Sequence, residues 1–261
     1  MSLDLFDTLL APDIVGDTSV LHLFGGPAVT VPGGCRRMVP EGSKRLLVFV
    51  ALHRGRVERR YAAGALWPIG DDERAAGNLR SALWRLNRAE IDVLSADKRS
   101  LTLRPGVLID LQVIGDWAAR LIAGQPTDTD LAVMPNGLDA LELLPGWYDD
   151  WVLLERERAR QRLLHGLEAL SREQRLNGRF AEAVEAAMMA VNAEPLRESA
   201  QRELLQAHLA EGNWAEARRG YELYRDLVGR ELGVAPGPEF TALLRTRARS
   251  VPPPQRALIG S

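Results

Sequence analysis

The apolar and polar positions of residues 71–88, DDERAAGNLRSALWRLNR, predict one amphipathic helix with an unusual outer face. Its apolar stripe is formed by four residues at i, i+3, i+4 and i+7: Leu79, Ala82, Leu83 and Leu86. The three acids at 71–73 suit a helix start, because the positive end of the helix dipole favours carboxylates. A tryptophan and several arginines point away from the stripe. That outer face is either an ordinary solvated surface or a surface that contacts a polyanion.

The segments around this helix predict short strands and two more helices. Residues 20–31 have the pattern of two strands joined by a Gly-Gly-Pro turn, and residues 35–40 add a third strand. Helices are predicted over 41–56 and 59–68, before the amphipathic helix. Residues 91–110 alternate as a hairpin with a basic tip. This order of elements describes a winged helix-turn-helix, whose third helix enters the major groove of DNA while the hairpin touches the backbone or the adjacent groove.

The second half of the chain is predicted to be entirely helical and contains a repeat with a period of 34 residues. Residues 177–195 and 211–229 superpose at that offset, so that Gly178 matches Gly212 and Phe180 matches Trp214. A glycine that ends one helix, a neighbouring aromatic residue and small alanines at the helix crossing are typical of a tetratricopeptide unit. Such arrays usually offer a concave face to a partner. Helical packing without a binding role is the alternative.

Composition limits the class of protein. The 261 residues, of which 46% are hydrophobic and 26% charged, are typical of a folded soluble protein with one large or two ordinary domains. Cys35 is the single cysteine, which excludes a disulfide framework and favours the reducing cytoplasm. No apolar run approaches the roughly 20 residues that a membrane span requires. We therefore expect a cytoplasmic protein that makes no contact with the membrane.

Charge is distributed unevenly along the chain. The formal net charge is −2, yet residues 20–108 carry 15 basic and 8 acidic side chains, whereas residues 109–261 carry 18 and 23. A basic segment of the size of one domain suits contact with phosphates, because each neutralised phosphate releases counterions. A generic basic surface would have the same composition, so charge alone does not establish a nucleic-acid partner.

Four stretches of this sequence resemble the Streptomyces antibiotic regulatory protein family. The first two, in the N-terminal half, are GSKRLLVFVALHRGRVERRYAAGALWP and NLRSALWRL. The other two are LELLPGWYDDWVLLERERARQRLLHGLEAL at 141–170 and YRDLVGRELGVAPGPEFTALL at 224–244. The resemblance implies an OmpR-type winged helix joined to a bacterial transcriptional activator domain, in the small form that lacks an ATPase module. Asn87 departs from the pattern, since many relatives carry a basic residue there.

The resemblance also implies a function. The protein is expected to be a transcription activator that binds tandem promoter repeats as a homodimer. It is also expected to contact RNA polymerase near its sigma factor and to control secondary-metabolite genes. The aromatic residues at 147, 148 and 151 resemble the entry motif of the activator domain, where we expect an aromatic corner of the core rather than a ligand cage.

The candidate DNA-binding residues lie in three places. Arginines on the third helix suit phosphate or the guanine edge, Asn78 suits adenine, Ser81 suits either, and Trp84 suits a sugar or a thymine methyl or packs on the wing. Cations at the wing tip and at the start of the first helix suit phosphates, or are ordinary surface charges. The complete set is Arg74, Asn78, Arg80, Ser81, Trp84, Arg85, Arg88, Lys98, Arg99, Lys44 and Arg45.

The sequence carries no motif of an enzyme, cofactor site or metal site. The four histidines lie far apart without metal-ligand spacing, and no P-loop, GxSxG or GxGxxG occurs. We therefore expect no catalytic activity, cofactor or metal.

The prediction is a mainly α protein with small β elements. It has an N-terminal tail (1–19), a winged helix-turn-helix (20–109), a tetratricopeptide-like activator domain (110–250) and a C-terminal tail (251–261). Double-stranded promoter DNA and RNA polymerase are its expected partners, which places it at the nucleoid. The alternative function is a helical protein-interaction adaptor whose winged helix no longer reads DNA.

Overall fold

A computed structural model describes residue 9 and residues 18–53, 55–133 and 142–248. The predicted C-terminal tail and nearly all of the N-terminal tail lie outside these residues. The chain forms two compact units that divide between Leu163 and Leu164.

The first unit contains short strands followed by helices. Its described elements are β1 (Val20–His22), β2 (Ala28–Val31), β3 (Cys35–Met38), α1 (Glu41–Leu52), β4 (Val57–Glu58), α2 (Arg59–Leu66), α3 (Asp72–Arg88), β5 (Leu94–Ala96), β6 (Ser100–Leu103), β7 (Leu108–Ile109), α4 (Asp110–Ile122), α5 (Asp128–Ala132) and the first half of α6 (Asp150–Leu176). The order is that of the predicted winged helix-turn-helix, with β4 and β7 as strands that the apolar pattern does not predict.

The N-terminal strands form a sheet in the order β3-β2-β1-β7. β1 and β2 are antiparallel, with Val20 opposite Thr30, while β7 runs parallel to β1. Asp110 follows β7 directly, and its Oδ2 accepts hydrogen bonds from the backbone N–H groups of Leu23 (2.8 Å) and Phe24 (3.0 Å). The buried carboxylate thus fixes the chain after β1 to the start of α4.

Helices α1, α2 and α3 pack around one apolar core. Helix α3 begins with Asp71 as its N-cap, whose side chain accepts a hydrogen bond from the N–H of Arg74. Three residues of the predicted stripe are buried, Leu83 is half-buried, and Ala75 extends the stripe by one turn towards the N-terminus. The wing is a second sheet in the order β4-β6-β5.

The core of the first unit extends beyond the predicted winged-helix domain. Leu111 of α4, Leu143, Leu144 and Val152 of α6 belong to the same buried cluster as the leucines of α1 and α3. The predicted domain boundary at 109/110 therefore falls inside a compact unit, because these later residues supply apolar surface that covers the winged helix.

The second unit consists of helices in its described part. These are the second half of α6, α7 (Phe180–Ala193), α8 (Glu198–Glu211), α9 (Trp214–Leu232) and α10 (Pro238–Ala248). Phe240 of α10 is 1% exposed; its ring packs at a tilt against Tyr221 and edge-on against Tyr224 of α9. The PGPEF stretch of the sequence thus closes the core of this unit.

The two copies of the repeat share local structure. Gly178 and Gly212 both adopt a left-handed conformation, with φ of 75° and 91°, and each precedes a helix that begins at the matched aromatic residue. Ala183 and Ala217, at equivalent positions, are buried. The copies differ at their ends, since α7 stops before Pro195 whereas α9 continues through Gly229 to Leu232.

Candidate nucleic-acid interface

Helix α3 presents a cationic outer face opposite its buried stripe. Ala82 and Leu86 turn into the core, while most of the predicted recognition residues are exposed. The exposed ones are Arg74, Arg80, Ser81, Trp84, Arg85 and Arg88, and Asn78 is half-buried. The structure thus brings all seven predicted residues of this helix to the side that the core does not use.

Trp84 and Arg88 form a cation–π pair on this face. The guanidinium carbon of Arg88 lies 5.2 Å from the centre of the Trp84 ring, and the indole side chain is 57% exposed. An exposed tryptophan leaves a large apolar ring in contact with water, which is unfavourable. Its position among arginines therefore suits a surface that a ligand covers.

A buried hydrogen bond fixes the position of α3. The Ser43 hydroxyl of α1 donates to the carbonyl oxygen of Ala82 at 2.8 Å, and both residues are fully buried. Breaking this bond would leave the buried Ser43 hydroxyl without its acceptor, at a cost of about 1–3 kcal/mol. The recognition face is therefore presented on a rigid base.

Asp97 organises the tip of the wing. Its Oδ1 accepts hydrogen bonds from the N–H groups of Arg99 (2.6 Å) and Ser100 (2.7 Å), and its Oδ2 accepts from Ser100 Oγ (2.8 Å) and Arg56 Nη2 (3.0 Å). These donors stabilise the carboxylate, with the Arg99 N–H as the largest contribution, and lower its pKa from 3.8 to about 2. The tip that carries the exposed Lys98 and Arg99 consequently has a defined shape.

A groove of about 720 Å³ separates the wing tip from α2 and the first half of α3. Its basic lining residues are Arg59, Arg60, Arg80, Lys98 and Arg99. Asp72 and Glu73 also border it, and Asp72 pairs with Arg60 at 2.6 Å. The structure thus places cations of the recognition helix and of the wing around one depression.

The wing tip also gathers arginines that were absent from the predicted site. Arg56 binds the Asp97 carboxylate, and Arg59 Nη1 donates to the Asp97 carbonyl oxygen at 3.2 Å. The basic run at 54–60 was visible in the sequence, but its place beside the wing depends on the pairing of β4 with β6, which no local pattern indicates.

The two predicted cations of α1 are engaged within the protein. Lys44 pairs with Glu41 at 2.6 Å. Arg45 donates to the carbonyl oxygen of Leu66 (3.2 Å) and to the carboxylate of Asp149 (2.5 Å). Arg45 therefore joins α1 to the end of α2 and to the segment before α6.

The aromatic entry motif before α6 is partly a core corner. Trp151 packs edge-on against Phe49 with ring centres 5.2 Å apart, and Trp147 is partly buried against the same core. Tyr148 instead is 79% exposed. Arg156 of α6 supports this corner by donating to the carbonyl oxygens of Leu143 (2.8 Å) and Trp147 (2.9 Å).

Across residues 18–53, 55–133 and 142–248, no group of three or more His, Cys, Asp or Glu side chains is arranged to hold a metal ion. None of the helices described for this chain is long and apolar enough to cross a membrane.

Comparison with known proteins finds a family match in the C-terminal part of the chain and a similar fold over most of its length. Residues 138–246 match the family model of the bacterial transcriptional activator domain. A solved structure of Mycobacterium tuberculosis EmbR in complex with a low-affinity phosphopeptide has a similar fold, with a TM-score of 0.63, 19% sequence identity and 90% of this chain covered. This chain spans 66% of the EmbR chain. No curated protein matches the sequence.

The fold and the domain match agree with the resemblance in the sequence. A winged helix occupies the N-terminal part, and the matched activator domain follows it. The chain thus has a winged helix followed by a region, residues 138–246, that matches the bacterial transcriptional activator domain.

Proposed function

We propose that this protein is a sequence-specific DNA-binding transcription activator that recognises tandem promoter repeats as a homodimer and contacts RNA polymerase. One observation carries the proposal: the outer face of α3 exposes five large cationic or aromatic side chains, Arg74, Arg80, Trp84, Arg85 and Arg88, on a helix fixed to the core. In winged-helix proteins the third helix enters the major groove, which supports DNA contact by this face.

Base reading and positioning are assigned to different side chains of this face. An arginine donates in a bidentate manner to guanine O6 and N7, and an asparagine pairs in the same way with adenine. Arg80, Arg85 and Asn78 are therefore the proposed base-reading residues. Arg74 lies in the first turn of α3 and is proposed to bind phosphate, as about half of such contacts do.

The wing is proposed to hold the DNA backbone. Lys98 and Arg99 project from a tip that Asp97 keeps in one conformation, so their binding to phosphate costs little ordering of the loop. Arg59 lines the same groove and adds a cation that can neutralise neighbouring phosphates of the DNA backbone. Lys44 pairs with Glu41 of the same helix and is retained as a phosphate contact, whereas we assign Arg45 to the stability of the first unit.

The helical unit is proposed to supply the protein contacts for activation. The second unit, residues 164–261, carries 13 basic and 13 acidic side chains. It therefore has no excess positive charge with which to bind DNA phosphates, and contact with RNA polymerase or a second copy is its proposed role. We further propose that the helical unit contacts the sigma region of the polymerase. The protein would then control secondary-metabolite genes and lie at the nucleoid in the cytoplasm.

Binding to the upstream region of the protein's own gene tests the proposal. Electrophoretic mobility shifts would compare the wild type with Arg80→Ala and with Arg219→Ala, an exposed arginine of α9 that serves as the matched control. We expect the wild type and Arg219→Ala to shift the fragment equally, and Arg80→Ala to bind about tenfold or more weakly. Wild-type protein that shifts neither this fragment nor neighbouring promoters would favour the adaptor and contradict the proposal.

A further inference from the structure

The first turn of α1 approaches the last turn of α3 at Gly42. A Cβ atom at this position would lie 2.8 Å from Arg85 Nη1, 3.2 Å from Cζ and 3.6 Å from Nε. Real Cβ atoms essentially never come within 3.0 Å of a heavy atom outside their own residue and its chain neighbours. The guanidinium of Arg85 thus occupies space that exists because residue 42 has no side chain.

The separation of the two helices at this point is fixed. Ser43, the neighbour of Gly42, donates the buried hydrogen bond to Ala82, which lies one turn before Arg85 on α3. Sliding the helices apart would break this bond and leave a polar group unpaired in the core. A side chain at position 42 is therefore accommodated by moving the arginine, since the flexible end of Arg85 moves more easily than two packed helices.

Arg85 differs from the arginines that stabilise the fold. Arg45 and Arg156 donate to carbonyl or carboxylate oxygens of the protein. In the part of the chain that the structure describes, the guanidinium of Arg85 has no such acceptor. The guanidinium lies against the first turn of α1, and its N–H donors stay available for a ligand.

We propose that Gly42 is a positioning residue for DNA recognition, which holds the Arg85 guanidinium in one direction by leaving it room against α1. This inference rests on the proposed function, in which Arg85 reads a base. A bidentate contact requires a defined guanidinium plane, and an arginine that is free to adopt other rotamers loses entropy on binding. Gly42 thereby raises the affinity for promoter DNA through Arg85, without contacting the DNA itself.

A double-mutant cycle on the full-length protein tests the coupling. Gly42→Ala, Arg85→Ala and the double variant would be compared for affinity to the promoter fragment that the wild type binds. Gly220→Ala is the matched control, because Gly220 is a helical glycine of α9 whose Cβ would meet no atom within 4 Å. We expect Gly42→Ala to bind about tenfold more weakly, and to have no further effect when Arg85 is already alanine. Gly220→Ala should bind as the wild type does.

Thermal unfolding accompanies this cycle. Alanine has a higher helix propensity than glycine, and the displaced group is the end of an exposed side chain, so Gly42→Ala should melt no lower than the wild type. A second readout without DNA is the ¹H–¹⁵N resonance of the Arg85 side-chain Nε–H, which should shift in Gly42→Ala and stay unchanged in Gly220→Ala.

The outcomes separate this inference from the function beneath it. If the wild type binds no promoter, the proposed function fails and the role of Gly42 in recognition fails with it. If the wild type binds and Arg85→Ala weakens binding while Gly42→Ala does not, only the present inference is overturned. Equal losses from Gly42→Ala with Arg85 present and absent, or an unmoved Arg85 resonance, overturn it as well.

Discussion

The guanidinium of Arg88 stacks over the indole of Trp84, 5.2 Å from the ring centre, on the exposed side of α3. Residues four apart lie on the same face of a helix, so the pair forms within one element and needs no support from the rest of the fold. It covers part of an apolar ring and restrains the rotamer of the arginine. The same contact therefore prepares both side chains for a shared ligand.

Substitution of either partner should weaken DNA binding without unfolding the protein. Both side chains lie outside the core, so Trp84→Ala and Arg88→Ala leave no cavity and should melt within about 1 °C of the wild type. Each substitution should reduce the binding free energy by about 1–3 kcal/mol. The loss in the double variant should be smaller than the sum of the two single losses by about 0.5–1 kcal/mol, which is the contribution of the cation–π contact. Fluorescence anisotropy measures the cycle. Tyr148→Ala, which removes another exposed aromatic ring, should bind normally; equal losses in that variant would count against a specific role for the pair.

Binding to the promoter should depend steeply on salt. The basic segment at 20–108 releases counterions from DNA, and about 6–10 phosphates contacted by a dimer imply a loss of affinity of about 10³–10⁵-fold between 50 and 200 mM salt. Lys98→Ala should reduce the slope of log affinity against log salt by about 1 and weaken all sequences alike. A titration series at four salt concentrations gives both slopes. A flat dependence would exclude the phosphate contacts proposed for the wing.

The wing tip should remain ordered down to unusually acidic pH. Since the folded-state pKa of Asp97 is about 2, below the ordinary value of 3.8, its hydrogen bonds stabilise the tip fully above pH 3.8 and are lost as the pH falls through about 2. NMR titration of the Asp97 carboxyl carbon should give this midpoint. In Asp97→Ala the N–H groups of Arg99 and Ser100 lose their acceptor and should exchange faster with solvent at neutral pH. A midpoint near 3.8 would show that these hydrogen bonds are not formed in solution.

The repeat alanines should tolerate no larger side chain. Ala183 and Ala217 are 0% and 1% exposed, and the Ser171 hydroxyl donates to the Ala183 carbonyl at 2.8 Å, so the helices around Ala183 have no room to separate. Ala183→Leu or Ala217→Leu should lower the free energy of unfolding by about 1–3 kcal/mol through overpacking. Ala215→Leu, on the exposed side of α9, is the matched control and should be neutral. Urea denaturation followed by circular dichroism distinguishes the three variants.

The DNA-binding half should need residues beyond 110 to be stable. A fragment ending at 109 loses Leu143, Leu144 and Val152 from its core, and each buried aliphatic side chain contributes about 1.5–3 kcal/mol. A fragment of residues 1–163 keeps the first compact unit and should melt cooperatively and bind promoter DNA. Its transcription stimulation should be lost, because the proposed polymerase contacts lie in the second unit.

In vitro transcription beside a binding assay checks both parts of this prediction. If the 1–109 fragment melts as high as the 1–163 fragment, the later residues contribute little to the core. If residues 1–163 stimulate the polymerase as well as the full chain does, the helical unit is not the activating part.

The sequence by itself determined the elements that depend on local periodicity. The stripe of Leu79, Ala82 and Leu86 set the orientation of α3, because side chains at helical spacing share one face whatever the helix packs against. The glycines at 178 and 212 set the start of each repeat copy, since a left-handed turn favours a residue without Cβ. The fold class and the exposure of the outer face of α3 followed from these patterns.

Only the tertiary structure decided which distant residues meet. Two-residue strands such as β4 and β7 have no period to detect, yet β4 brings Arg56 and Arg59 to the wing. An arginine such as Arg45 is chemically suited to bind phosphate, but it donates instead to the carboxylate of Asp149, over 100 positions later in the chain. The room that Gly42 leaves for Arg85 likewise depends on the packing of α1 on α3. These relations come from long-range packing, in which the partner of a side chain is set by the path of the whole chain rather than by its neighbours in sequence.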